Sequence, residues 1–158
     1  MSRLTPTIVQ IYLLPPSKIP LTRGFFCAIM LARKMTNDFF TLKGQTIRKI
    51  IALNTGSLKI ITDKYKYHLY HEQDCCENVR LVDVIGDVDN ILNKEITFAE
   101  EDAGANDPDW YGNNYNDSSH TWTKFVLATK NSNVEFWFLG ESNGYYSESI
   151  SIQVEEIV

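Results

Sequence analysis

The sequence predicts a mostly-β domain of the α+β class: an antiparallel curved sheet or partly open barrel carrying one short helix. Apolar side chains recur at every second position in several stretches, most clearly at Tyr65, Tyr67 and Leu69 and at Val134, Phe136 and Phe138. That is the period of a strand with one buried face. Aromatic residues make up 12% of the chain, a content that leans towards strands. Strand-like runs do not alternate with long amphipathic helices, so the sheet should be antiparallel rather than built from crossover units. At 158 residues and 44% hydrophobic, the chain has one domain's worth of core.

Taken in order, Arg48 to Leu53 is an Ile-rich run that reads as a strand. Asn54-Thr55-Gly56 turns it, and Ser57 to Thr62 returns. Asp63-Lys64 is a second turn, and Tyr65 to Tyr70 is the next strand, with Lys66, His68 and Tyr70 on the face away from Tyr67. His71 to Asn78 is polar and irregular and reads as a loop. Val79 to Ile85 resumes as a strand. Asp87 has the chemistry of an N-cap for a short helix with Val88, Ile91 and Leu92 on one face, stopping at Asn93. Lys94 to Ala99 reads as a strand burying Ile96 and Phe98. Residues 100–119 form a long acidic connection, in which Trp110, Tyr111 and Tyr115 suggest packing rather than pure solvation. A meander follows: a strand from His120 to Thr129, a turn at Lys130-Asn131-Ser132, and a strand from Asn133 to Ser142. Asn143-Gly144 is the strongest hairpin signal, because a type I′ turn needs positive φ at both central positions. It predicts a last strand from Tyr145 to Ile157, with Ile150, Ile152 and Val154 inward.

Residues 1–34 read differently. They hold five basic side chains and no acid, with prolines at 6, 15, 16 and 20, a density that prevents a long helix. The apolar run from Phe25 to Ala32 is much too short to span a membrane. These residues are expected to be a basic leader outside the fold, with the domain proper, residues 35–158, starting near Met35. The remainder carries ten Lys or Arg against 20 Asp or Glu. So acidic a body does not attract nucleic-acid phosphates, although its acidic loop could imitate them towards a basic partner. Three cysteines, two of them adjacent, make no disulfide framework and fit a cytoplasmic setting.

Chemistry-bearing residues gather in two stretches. The first, Tyr67 to Val79, holds two of the three histidines, the Cys75-Cys76 pair and the carboxylates Glu72, Asp74 and Glu77. The second runs from Gly140 to Ser149. If the folded chain sets them side by side, Tyr70, Tyr145 and Tyr146 give aromatic surface, with Tyr67 and Trp137 as further candidates. Glu72, Asp74, Asn78, Glu141, Asn143, Ser147 and Glu148 would supply polar contacts, and His71, Cys75 and Cys76 complete the set. Such a rim suits a small polar ligand or a basic protein surface. His71, Cys75 and Cys76 are also candidate zinc ligands, or a Cys–His pair for nucleophilic chemistry. No complete ligand pattern is present, since adjacent cysteines diverge, so no cofactor is expected and zinc is the alternative. Asp107, Asp109 and Gly112 match part of a calcium loop, but Tyr111 and Ser118 occupy ligand positions. No Gly-rich phosphate loop, nucleophile elbow or paired CxxC is found, which disfavours the common enzyme types.

The motif Tyr70-His71-Glu72-Gln73-Asp74-Cys75-Cys76-Glu77, followed by Gly140-Glu141-Ser142-Asn143-Gly144-Tyr145-Tyr146-Ser147-Glu148, resembles a family of small phage and prophage proteins of unknown function. The resemblance covers residues 43–157: a Lys43-Gly44 start, a Gly86-Asp87 step, a variable acidic loop, a Trp-bearing strand and the closing GYYSE. It implies a phage-encoded accessory protein acting inside a host cell, and no mechanism. Three functions follow as expectations: a binding module for a host protein or small polar ligand, without membrane or direct nucleic-acid contact; a metal- or Cys-dependent enzyme using His71, Cys75 and Cys76; and an acidic nucleic-acid mimic that inhibits a host defence protein through residues 100–117.

Overall fold

The computed structural model describes residues 38–53, 56–112 and 119–157. The leader at 1–34, the proposed start at Met35, Asn54, Thr55, Tyr115 and the end of the acidic loop at 113–118 lie outside the described residues.

Among the described residues, eight strands follow in sequence: β1 (Ile47–Ala52), β2 (Leu58–Thr62), β3 (Tyr65–Tyr70), β4 (Asn78–Ile85), β5 (Phe98–Ala105), β6 (Ser119–Ala128), β7 (Asn133–Ser142) and β8 (Ser151–Glu156). All pairings are antiparallel. The mostly-β expectation is met, but the strands divide between two four-stranded sheets, in orders β1-β2-β3-β8 and β4-β7-β6-β5, which do not close into a barrel. The second is a Greek-key order, with β4 lying beside β7 after a long connection to β5.

The two sheets share one core. Ile47, Leu58, Ile60, Tyr67, Leu69 and Ile152 come from the first sheet, and Val79, Phe125, Leu127, Val134, Phe136 and Phe138 from the second. Each set alternates along its strands, so a single register decides which face is buried. Phe39 and Leu42, from a single 3-10 turn (Phe39–Leu42) capped by Asp38, close one side of the core. Tyr67 is fully buried, with its hydroxyl hydrogen-bonded to Thr41 and accepting from Gln45. It belongs to the core.

Four expectations change. The helix at Asp87 is only a 3-10 turn, Val88–Asn90; Asp87 caps it by accepting from the Asp89 N–H, and Asn93, at φ 56°, ends the segment. Ile96 is buried as expected, but Phe98 is 45% exposed. The strand expected at 94–99 instead runs from Phe98 to Ala105, so the acidic connection is shorter than its composition suggests. Glu100, Glu101 and Asp102 sit on an edge strand, where charge prevents unwanted strand pairing. Finally, Asn143-Gly144 is not a hairpin. Gly144 has φ 86°, but Asn143 is not among the residues at positive φ. The chain leaves β7, crosses to the other sheet, and enters β8 beside β3.

Candidate functional site

The pairing registers explain how the two stretches meet. β3 ends and β8 begins at the same level, with Tyr70 opposite Ser151. β4 begins and β7 ends at the same level, with Asn78 opposite Glu141. The connection from β3 to β4 and the connection from β7 to β8 therefore both cross between the sheets at one end of the molecule. Residues 71–77 and 143–150 must run side by side there.

Glu77 organises the first crossover. Its side chain is only 1% exposed. One oxygen accepts a short hydrogen bond from the Asp74 N–H, and the other lies 3.0 Å from the Cys75 nitrogen. The Gln73 amide donates to the Glu77 carbonyl at 2.7 Å. The Asp74 N–H does most to hold the Glu77 carboxyl down to about 2; burial opposes it, while the Cys75 and Glu77 N–H groups and the His71 ring assist. His71 joins the two crossovers. Its Nδ1 lies 2.9 Å from the Ser149 carbonyl, 78 positions away in the chain, and its Nε2 lies 3.3 Å from Glu77 Oε1.

Between the crossovers lies an open cleft of about 480 Å³. His71, Glu72, Gln73, Asp74 and Glu77 form one wall; Ser147, Ser149 and Ser151 form the other. Glu72 and Asp74 are exposed, and their carboxylates form no ion pair among the described residues. Cys75 and Cys76 are free, exposed thiols beside the cleft. Cys75 beside the Tyr146 hydroxyl raises the tyrosine's pKa. Tyr145 is 91% exposed at the tip of the second crossover.

Other candidates have structural partners. Glu148 is buried beneath the second crossover, with Ser142 Oγ donating to it at 2.5 Å. Burial pushes its carboxyl up, but hydrogen bonds from Ser142, Thr121 and Ser119, with the His120 charge, bring it below the ordinary value. Glu141 pairs with Arg80 across β7 and β4. The Asn143 side chain accepts from the Tyr145 N–H at 3.1 Å and shapes the turn. Tyr70 stacks on His68, with centroids 4.8 Å apart, on the face of β3 away from the core and does not line the cleft. Trp137 is buried in a separate cluster with Trp122 and Leu139 on the outer face of the second sheet. Trp110 and Tyr111 cover that cluster with edge-to-face contacts, as the aromatic content of the acidic loop suggested.

Both His71 nitrogens face oxygen acceptors, and among the described residues no three His, Cys, Asp or Glu side chains are grouped to hold an ion. The partial calcium loop is likewise occupied: Asp107 faces His120 at 3.4 Å. The sequence counted Glu77 and Ser149 without assigning either a role, and did not mark Ser151. Nothing in their spacing marks those serines; only the pairing of β3 with β8 brings them to the cleft.

Over residues 40–152 the chain matches a protein family described as a domain of unknown function, DUF7448. No curated protein and no solved structure matches it. No helix among the described residues is long and apolar enough to cross a membrane.

Proposed function

The chain belongs to the DUF7448 family, and from that premise we propose that it is a phage-type accessory protein, a binding module that takes a host protein or small polar ligand in the cleft between its two crossovers. The observation that carries this reading is the cleft itself. Two segments remote in sequence are tied together by His71, which meets the Ser149 carbonyl and is braced by Glu77, and the walls they form leave Glu72, Asp74, Ser147 and Ser149 exposed, the two serine hydroxyls 2.7 Å apart. Rigid walls lose little freedom on binding. Carboxylates beside hydroxyls suit the ammonium or guanidinium groups of a basic surface. The motif resemblance supports a phage origin and the host cytoplasm as the place of action.

The two alternatives have weaker support. A Cys-dependent enzyme needs a thiol that ionises easily, whereas the Cys76 thiol is pushed up, first by Cys75. A nucleic-acid mimic needs a row of unpaired carboxylates, but Asp102 faces Lys124 at 3.4 Å and Asp107 faces His120.

Affinity capture from host lysate tests the proposal. The intact protein should retain a partner or ligand that Glu72→Ala/Asp74→Ala and Tyr146→Ala each lose. Equal capture by all three proteins would refute the cleft as the binding surface.

A further inference from the structure

The Cys75-Cys76 pair is not required by the binding reading, and its surroundings point to chemistry of its own. Both thiols are exposed and free. The backbone that carries them is fixed, because the N–H groups of Asp74 and Cys75 both bind the buried Glu77 carboxylate. Cys75 pushes up the ionisation of both Cys76 and Tyr146 of the opposite crossover, so the three groups are neighbours. Two free thiols on adjacent residues, both open to solvent, are placed for reaction with each other rather than with a distant partner. We propose that Cys75 and Cys76 are a reversible oxidation site, closing to a vicinal disulfide by exchange with a low-molecular-weight disulfide such as oxidised glutathione.

The exchange balances. One protein thiolate attacks a sulfur of oxidised glutathione, forming a mixed disulfide and expelling one glutathione thiolate. The neighbouring protein thiolate then attacks the protein sulfur of that mixed disulfide and expels the second glutathione. The two protons lost by the cysteines end on two glutathione thiols, and the pair gives up two electrons. Neighbouring α-carbons are about 3.8 Å apart across a trans peptide, whereas ordinary disulfides bridge roughly 4.4–6.8 Å. The bond is therefore strained and readily reduced, which makes it a reversible site rather than a staple. Closure removes the Cys75 thiol that Tyr146 meets, so oxidation at one crossover is felt at the other. Because the Cys76 thiol is pushed up, less of it is thiolate at neutral pH, and the exchange quickens as pH rises.

The test uses the full chain, equilibrated in defined glutathione redox buffers, acid-quenched, blocked and digested with trypsin. The fragment from Tyr67 to Arg80 holds both cysteines and excludes Cys27. The expected product is that fragment two hydrogens lighter than its dithiol, restored by excess reduced glutathione. Cys75→Ser and Cys76→Ser should each stop at the mixed disulfide with glutathione. A fragment that stays a dithiol, carries glutathione in the unsubstituted protein, or links two chains overturns the proposal. None of these outcomes depends on whether the cleft binds a partner.

Discussion

At Gly140 one missing methyl group decides whether the second crossover can lie against the sheet. A β-carbon there would stand 2.8 Å from the Glu148 carbonyl oxygen and 3.1 Å from its α-carbon, both backbone atoms that cannot swing aside. Gly140→Ala should therefore cost about 1–3 kcal/mol, as overpacking in a tight interior does, and denaturant unfolding measures it. Glu77 works by charge. Its folded pKa of about 2 lies below that of an ordinary carboxylate. The stabilisation from its N–H donors is thus complete above about pH 4.3 and is lost as pH falls towards the folded value. Glu77→Gln should be less stable than the parent protein at neutral pH, and the gap should narrow on acidification. Unfolding curves at pH 7 and pH 3 check the sign; a gap that widens at low pH contradicts it.

Among the elements, β5 and β8 show how much context a strand needs. The strands from β1 to β4, with β6 and β7, were legible because their apolar residues alternate and one face is buried. β5 was not, because Ala99 is its only buried side chain and its other positions are acidic, small or exposed. An edge strand is made by its neighbour's hydrogen bonds, here those of β6, and not by its own pattern. The Asn143-Gly144 signal misled for a related reason. It correctly marked a change of direction with a left-handed glycine, but a local turn signal carries no information about which sheet receives the next strand. The acidic connection contributes through Trp110, which is 45% exposed yet meets Trp122 and Trp137 edge to face at centroid distances of 5.9 and 6.2 Å. Trp110→Ala should cost about 1–2 kcal/mol, in line with the loss of two aromatic pairs. It should also shift the remaining tryptophan emission to the red as Trp122 and Trp137 meet water. Unchanged emission would mean the loop does not cover them.

For the whole molecule, the site follows from topology. His71, Glu72, Asp74, Cys75 and Cys76 stood out in the sequence because reactive residue types rarely cluster so densely. Tyr145 and Tyr146 stood out beside a turn. Their meeting was only conditional on the sequence. It becomes a consequence once β3 pairs with β8 and β4 with β7, since both sheet-to-sheet connections then cross at the same end. Glu148, Glu141 and Asn143 looked like ligand contacts because carboxylates and amides near a turn look alike whether they face a ligand or hold the chain. Burial and partners separated them. The claim on which the rest depends is that the two crossovers form one wall-to-wall site bridged by His71. Nuclear Overhauser effects from the His71 ring protons in the free protein test it most directly. Contacts to the protons of Ser149 and its neighbours, with the ring held in a single orientation, are the predicted result. A His71 ring that contacts only its own loop would contradict it.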